Sequence, residues 1–280
     1  MRHLLTAATA AAFVLTLAAP AQAADPQLTA AVKGPHRAAA HVARDEARRP
    51  AETLSFWGVK PGQTIVEISP GSGYWTEILA PYAKATGGRY VATAADLDNP
   101  KTSENARKGR ADFEAKFADT SKYGQITYVG FGGGKTSLGA PGTADIVITA
   151  RNIHNWMTVP GLLDKTMADF HAVLKPGGVL AVEEHRADPR PQAPNVSDGY
   201  VATASVVAAA EKAGFKLAAS SEVNANPKDT KDHPFGVWTL PPTRRNAPYG
   251  QADNNPTFDR SKYDAIGESD RMTLQFVKAG

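Results

Sequence analysis

Ile65-Val66-Glu67-Ile68-Ser69-Pro70-Gly71-Ser72-Gly73-Tyr74-Trp75-Thr76 reads as a short apolar strand, a turn broken by proline and glycine, and the start of a helix. Gly71 and Gly73 lack a Cβ, so the main chain can bend sharply there. Its amide N–H groups can then approach a ligand at the positive end of the following helix. Glu67 is a carboxylate inside an otherwise apolar strand, a costly choice if packing were its only task. These features predict a ligand-holding turn of the nucleotide-binding kind. It is not a dinucleotide fingerprint, because the position three after the second glycine is Thr76, and it does not end in the Gly-Lys-Ser/Thr of a phosphate-cradling loop.

Outward from this turn, strands and helices alternate. Strands are expected at 64–68, 89–95, 126–130, 145–150, 179–183 and 215–222, and helices at 75–85, 103–118, 161–174 and 198–213. This alternation predicts parallel pairing with crossover helices, the doubly wound α/β class, with a mostly parallel seven-stranded sheet. The run Ile146-Val147-Ile148 is apolar throughout, as expected of a central strand covered on both faces. Residues 270–278 alternate apolar and polar and read as an edge strand that closes the sheet. Residues 221–269 are dense in Pro, Asn and Asp and read as a long irregular excursion forming a lid or binding surface.

The N-terminal part divides in two. Met1 to Ala23 has the apolar stretch and the small residues before a cut of a cleavable signal peptide, predicting cleavage after Ala23 and a periplasmic or secreted location. Residues 24–62 form a helical lead-in with a break at Pro50, and residues 63–280 form the main domain. Cysteine is absent, which removes disulfides, thiolate metal sites and cysteine nucleophiles. The net charge of +3 is dispersed and points to no nucleic-acid partner, and no apolar run after residue 23 is long enough to span a membrane.

Glu67, the Ser69–Gly73 turn, an acid after the second strand, and Leu174-Lys175-Pro176-Gly177-Gly178-Val179-Leu180 occur in the order found in class I S-adenosylmethionine-dependent methyltransferases, and the chain resembles that family. Arg44-Asp45, Pro50-Ala51-Glu52, Gly58-Val59-Lys60-Pro61-Gly62 and Gly267-Glu268-Ser269-Asp270-Arg271-Met272 narrow the resemblance to exported bacterial predicted methyltransferases. It implies a Rossmann-like fold whose final strand inserts antiparallel beside the fifth, S-adenosyl-L-methionine as cofactor and a small-molecule acceptor. It assigns the cofactor to Glu67, Ser69, Pro70, Gly71, Ser72, Gly73, Asp96 and Asn152, with Asp98 competing with Asp96 for the ribose hydroxyls. The turn departs from the family in opening with Ser69 instead of glycine, a residue that fits if its φ stays negative. Where relatives carry an adenine-binding acid, this chain reads Val129-Gly130-Phe131, leaving backbone groups or packing on Phe131.

In Arg151-Asn152-Ile153-His154-Asn155-Trp156, His154 is a candidate general base, and His185 is its rival, with Glu184 able to orient either. Glu183, Glu184 and His185, without a second carboxylate–histidine motif, predict no metal site. Tyr74, Trp75 or Trp156 would hold a sulfonium by cation–π attraction. Two other readings stand beside methyl transfer: an exported, non-catalytic ligand-binding protein that keeps the fold, and a nicotinamide oxidoreductase, which Thr76 disfavours.

Overall fold

The computed structural model describes residues 25–132, 137–189 and 196–279, so the signal-peptide reading of residues 1–23 lies outside the described residues. The helical lead-in comprises α1 (Pro26–Val32), α2 (Ala39–Val42), α3 (Asp45–Arg48) and α4 (Pro50–Phe56). This is more broken than two helices about Pro50. Proline does start a helix, at the first position of α4, but Arg49 before it sits at φ 42° and forces a sharp corner after α3.

The main domain follows as β1 (Thr64–Ile68), α5 (Thr76–Ala85), β2 (Arg89–Ala95), α6 (Glu104–Lys116), α7 (Thr120–Tyr123), β3 (Ile126–Phe131) and β4 (Ala144–Ala150). After these come α8 (Ile153–Met157), α9 (Leu162–Val173), β5 (Leu174–His185), α10 (Thr203–Lys212) and β6 (Phe215–Ser221). The chain ends with β7 (Pro234–Val237), α11 (Ser261–Ile266) and β8 (Arg271–Lys278).

Seven strands form one sheet in the order β3-β2-β1-β4-β5-β8-β6. β1, β2, β3, β4 and β5 pair in parallel, while β8 runs antiparallel to both β5 and β6. This is the doubly wound α/β sheet expected, seven-stranded and mostly parallel. The period of two along each strand sends side chains into two cores. Val66, Ile68, Val147, Leu180 and Val182 pack with Met167, Phe170 and Val206 from α9 and α10. Ile65, Ile146, Ile148 and Ala181 pack on the other face with Leu28, Leu54, Ile78 and Leu79 from α1, α4 and α5.

Three boundaries differ from the sequence expectation, each for a tertiary reason. β8 is no edge strand, since it is hydrogen-bonded on both sides, and the sheet ends at β3 and β6. β5 begins at Leu174 and runs through His185, so Glu183, Glu184 and His185 sit in its last turn of pleat and not beyond it. α10 starts at Thr203, because Val201 is held extended by its N–H to His185 O (2.8 Å) and by the Ala187 N–H to its own carbonyl (2.8 Å). The long excursion carries β7 and α11, and its residues Trp238, Pro241, Pro242 and Thr243 fold back over the carboxyl end of the sheet.

Candidate functional site

In open α/β sheets the ligand crevice lies at the carboxyl ends of the strands where the order reverses, here between β1 and β4. Asn152 spans that gap, its side-chain amide donating to Ile68 O at 3.1 Å, so the ends of β1 and β4 are fixed relative to each other. The turn after β1 is anchored by the Ser69 N–H to Thr93 Oγ1 at 2.7 Å and closed by the Gly73 N–H to Pro70 O at 2.9 Å. The amides of Gly71 and Ser72 take no partner among the described residues.

The glycines serve different ends. Gly73, at φ 89°, packs so tightly that a Cβ there would meet Phe117 at 2.4 Å. Gly71, at φ 59°, faces open space, with no atom within 4 Å of such a Cβ. Ser69 sits at φ 49°, which corrects the expectation of a negative φ: the turn needs a left-handed residue where it leaves the strand, and serine is held there under strain.

Two cavities meet at this turn, sharing Ser69, Pro70, Gly71 and Asn152. One, of about 400 Å³, is bounded by Thr93, Ala94, Ala95, Arg110, Phe113 and Phe131. The other, of about 310 Å³, runs under Trp238 and Pro241 and contains Glu67, Tyr74, Trp75, His154 and His185. Ser69, Pro70, Gly71, Ser72, Glu67, Asn152 and both histidines are therefore brought together, whereas Gly73 lines neither cavity and packs against Phe117. Asp96 is buried at the end of β2 beside Gly130, its Oδ1 accepting the Asp98 N–H at 3.2 Å, and it lines neither cavity. Trp156 also lines neither; it packs edge-on against Phe131 and Phe170 in the core. The ring of Tyr74 is already faced by Arg48 at 4.4 Å, while Trp75, which also lines the cavity, packs against Trp57 and Tyr74.

Glu67 is not a partner for the lead-in arginines. Its Oε2 accepts from Thr76 Oγ1 at 3.0 Å and from the Tyr90 hydroxyl. Thr76, at the third-glycine position, is thus a hydrogen-bond donor to this acid. Burial lifts the Glu67 pKa to about 7, against the downward pull of those two bonds. His154 Nδ1 lies 3.0 Å from Glu184 Oε1, and the His154 and His185 rings are 5.4 Å apart. The same Glu184 oxygen accepts the His185 N–H at 2.8 Å, while His185 Nδ1 lies 2.6 Å from Ser269 Oγ. Burial, then the neighbouring His154 and Arg151, drive the His185 pKa well below its ordinary value.

Candidate ligand atoms of His154, Glu184 and His185 lie within 4.8 Å of one another, a convergence not expected from sequence. Glu184 is committed to both histidine residues, and Arg151, Arg271 and Arg48 surround His185, so the local potential disfavours a dication.

A network beneath the turn was not legible in the sequence. His41 contacts Ser72 Oγ at 3.1 Å and Glu77 Oε2 at 2.9 Å, and Lys116 pairs with Glu77 at 3.0 Å while donating to Ser72 O at 2.8 Å. It fixes the glycine turn from the lead-in side. Only its buried acid in the first turn of α5 would have hinted at it.

The strand order, the glycine turn at the switch point and the antiparallel β8 together define a Rossmann-like fold of the class I methyltransferase type. Geranyl diphosphate C-methyltransferase from Streptomyces coelicolor A3(2), solved with Mg2+, geranyl-S-thiolodiphosphate and S-adenosyl-L-homocysteine, shares it with a TM-score of 0.54 at 13% identity, over 89% of this chain and 84% of that one. The [4+2]-cyclase SpnF matches with a TM-score of 0.52 at 13% identity, over 83% of this chain and 80% of its own. A SAM-dependent methyltransferase from Aquifex aeolicus is 19% identical over 65% of this chain and 87% of that chain, with a TM-score of 0.49. No family model matches the chain, and no curated protein sequence does. At these identities the first two likenesses establish the fold alone.

Proposed function

We propose that the protein is an S-adenosylmethionine-dependent methyltransferase acting on a small-molecule acceptor. The observation that carries this reading is the pair of cavities meeting at the Ser69–Gly73 turn, with a buried acid and a histidine–carboxylate pair on one of them. The unpartnered Gly71 and Ser72 amides, the open space beside Gly71, and the Oε1 of Glu67, which takes no bond from the described residues, fit the methionine end of the cofactor. Phe131 and Phe113 provide a flat apolar slot for its adenine. Asp96 or Asp98 reaches the ribose only if the β2 end rearranges about it.

When bound, S-adenosylmethionine supplies an electrophilic methyl group on a positively charged sulfur. Glu67 would hold the ammonium end, and Trp75 would supply the aromatic contact to the cation. His154, oriented through Nδ1 by Glu184, would take the acceptor's proton at Nε2. His185, held neutral, lines the acceptor side. Trp238, Pro241 and Pro242 exclude water.

Calorimetric titration of the purified protein with S-adenosylmethionine is expected to give binding heat that falls sharply in Glu67→Ala, while NAD gives none. Absence of heat with S-adenosylmethionine would sink the reading, and heat with NAD alone would replace it with nicotinamide chemistry. Residues 1–23 are read as an export signal; N-terminal sequencing of protein recovered from outside the cytoplasm should begin at Ala24, and an intact Met1 there contradicts this.

A further inference from the structure

The 310 Å³ cavity is lined by three guanidinium groups, those of Arg44, Arg48 and Arg151. Arg48 is fully buried, and its Nε is paired with Glu268 at 3.0 Å. Among the described residues its Nη1 and Nη2 have no hydrogen-bond partner, and neither do Nη2 of Arg44 and Nε of Arg151. Four donor nitrogens on three side chains are too many to leave bare, because a buried polar group without a partner is costly and a charged one more so.

The charges do not balance internally either. Arg44, Arg48, Arg151 and Arg271 share two carboxylates, Glu183 and Glu268, through contacts of 2.7 Å for Arg44–Glu268 and Arg271–Glu183 and 3.0 Å for Arg48–Glu268 and Arg271–Glu268. Glu67 lies on the same cavity but is bound to Thr76 and Tyr90, and Glu184 is bound to His154. Arg151 is held at φ 59°, a left-handed backbone that is strained for a residue other than glycine and persists where the surroundings demand it. Burial first, and then the neighbouring Arg151, lower the Arg48 pKa to about 10, while Glu268 and Glu183 pull it back up.

We propose that the methyl acceptor is a carboxylate-bearing small molecule, whose anionic group is held by Arg48 and Arg151 while its nucleophilic atom faces His154. This rests on the methyltransferase reading. Arg48 suits the task because its planar fork pairs with a carboxylate through two parallel bonds while its face stacks on Tyr74. Trp75 and Trp238, on the same cavity, give the body of such a molecule an aromatic contact.

The carboxylate of the cofactor has the same chemistry, and the experiment separates the two sources. Benzoate and its neutral isostere benzamide are titrated into the full chain, free and saturated with S-adenosylhomocysteine, with acetate and inorganic phosphate as smaller anions. Benzoate is expected to bind the saturated protein and benzamide is not, and Arg48→Met should weaken benzoate at least about tenfold with little change for S-adenosylhomocysteine. The benzoate–benzamide contrast in the unaltered protein stands by itself if Arg48→Met does not fold. Equal binding of benzamide, failure of all three anions at tens of millimolar, or displacement of benzoate by S-adenosylhomocysteine would overturn the proposal; the last would give the arginines to the cofactor. Arginine-dependent binding of benzoate by a protein that ignores S-adenosylhomocysteine upholds the anion site and removes the methyltransferase reading.

Discussion

Glu67 sets the first prediction, because its protonation is coupled both to folding and to the ligand. Its folded pKa of about 7 lies above the ordinary carboxylate value, so between these values the folded state binds more protons than the unfolded one. Stability therefore falls as pH rises from about 4.5 to about 7, by about 3 kcal/mol at 1.36 kcal/mol per unit, and is flat above. Denaturant titrations from pH 4 to 8 should show this fall, and Glu67→Gln should remove it. Binding of a ligand ammonium should tighten as pH passes through about 7 in the unaltered protein, and much less in Glu67→Gln. Ser69 sets the second: at φ 49° glycine is unstrained, so Ser69→Gly should stabilise the fold by about 0.5–1 kcal/mol after the added unfolded-chain entropy, raising Tm by about 2 °C in a thermal melt. An unchanged or lower Tm would mean that the Ser69 side chain contributes more than its backbone costs.

Among the elements, β8 shows why alternation misleads. Met272, Leu274 and Phe276 enter one core, as the pattern suggests, but the polar set between them does not face water. Arg271 donates to Ala47 O at 2.7 Å, Thr273 to Asn224 Oδ1 at 2.6 Å and Gln275 to Phe56 O at 3.2 Å. The polar period is a docking face for the lead-in helices and the excursion. An interior strand predicts that Phe276→Ala, fully buried, costs about 3–5 kcal/mol. Leu217→Ala on the true edge strand β6, where the residue is 41% exposed, should cost less than about 1 kcal/mol. Chemical denaturation of the two variants checks the ranking, and equal losses would contradict it. The motif segment around His154 was legible as polar and aromatic, but its folding into α8, which turns His154 toward Glu184, depends on β5 running on to present that acid.

At the scale of the molecule, the two ends of the chain are locked through one carboxylate. Glu268 meets Arg44 and Arg48 from the lead-in and Arg271 from β8. Burial alone would raise its pKa, but Arg271, Arg48 and Arg44 hold it down to about 2. A depressed acid contributes stability above its unfolded pKa and loses it as pH falls, here between about 4.5 and about 2, at most about 3 kcal/mol. Glu268→Gln should therefore be destabilised at neutral pH, with the gap to the unaltered protein closing as pH falls through that window. A constant gap would mean that Glu268 acts by shape alone.

Strand–helix alternation, the glycine turn and the apolar central strand were fixed by local pattern, because a period of two, a missing Cβ and a run of β-branched residues act over a few neighbours in the chain. From them follow the α/β class, the position of the ligand crevice and the candidacy of Glu67, Asn152, His154 and His185. Only the folded chain decided that Ser69 is left-handed, that Asp96 stands outside both cavities, that β8 is interior, and that four arginines converge on two acids. Those outcomes depend on contacts between residues up to 224 positions apart, as between Arg44 and Glu268, whose energies arise from burial and charge that no local window contains.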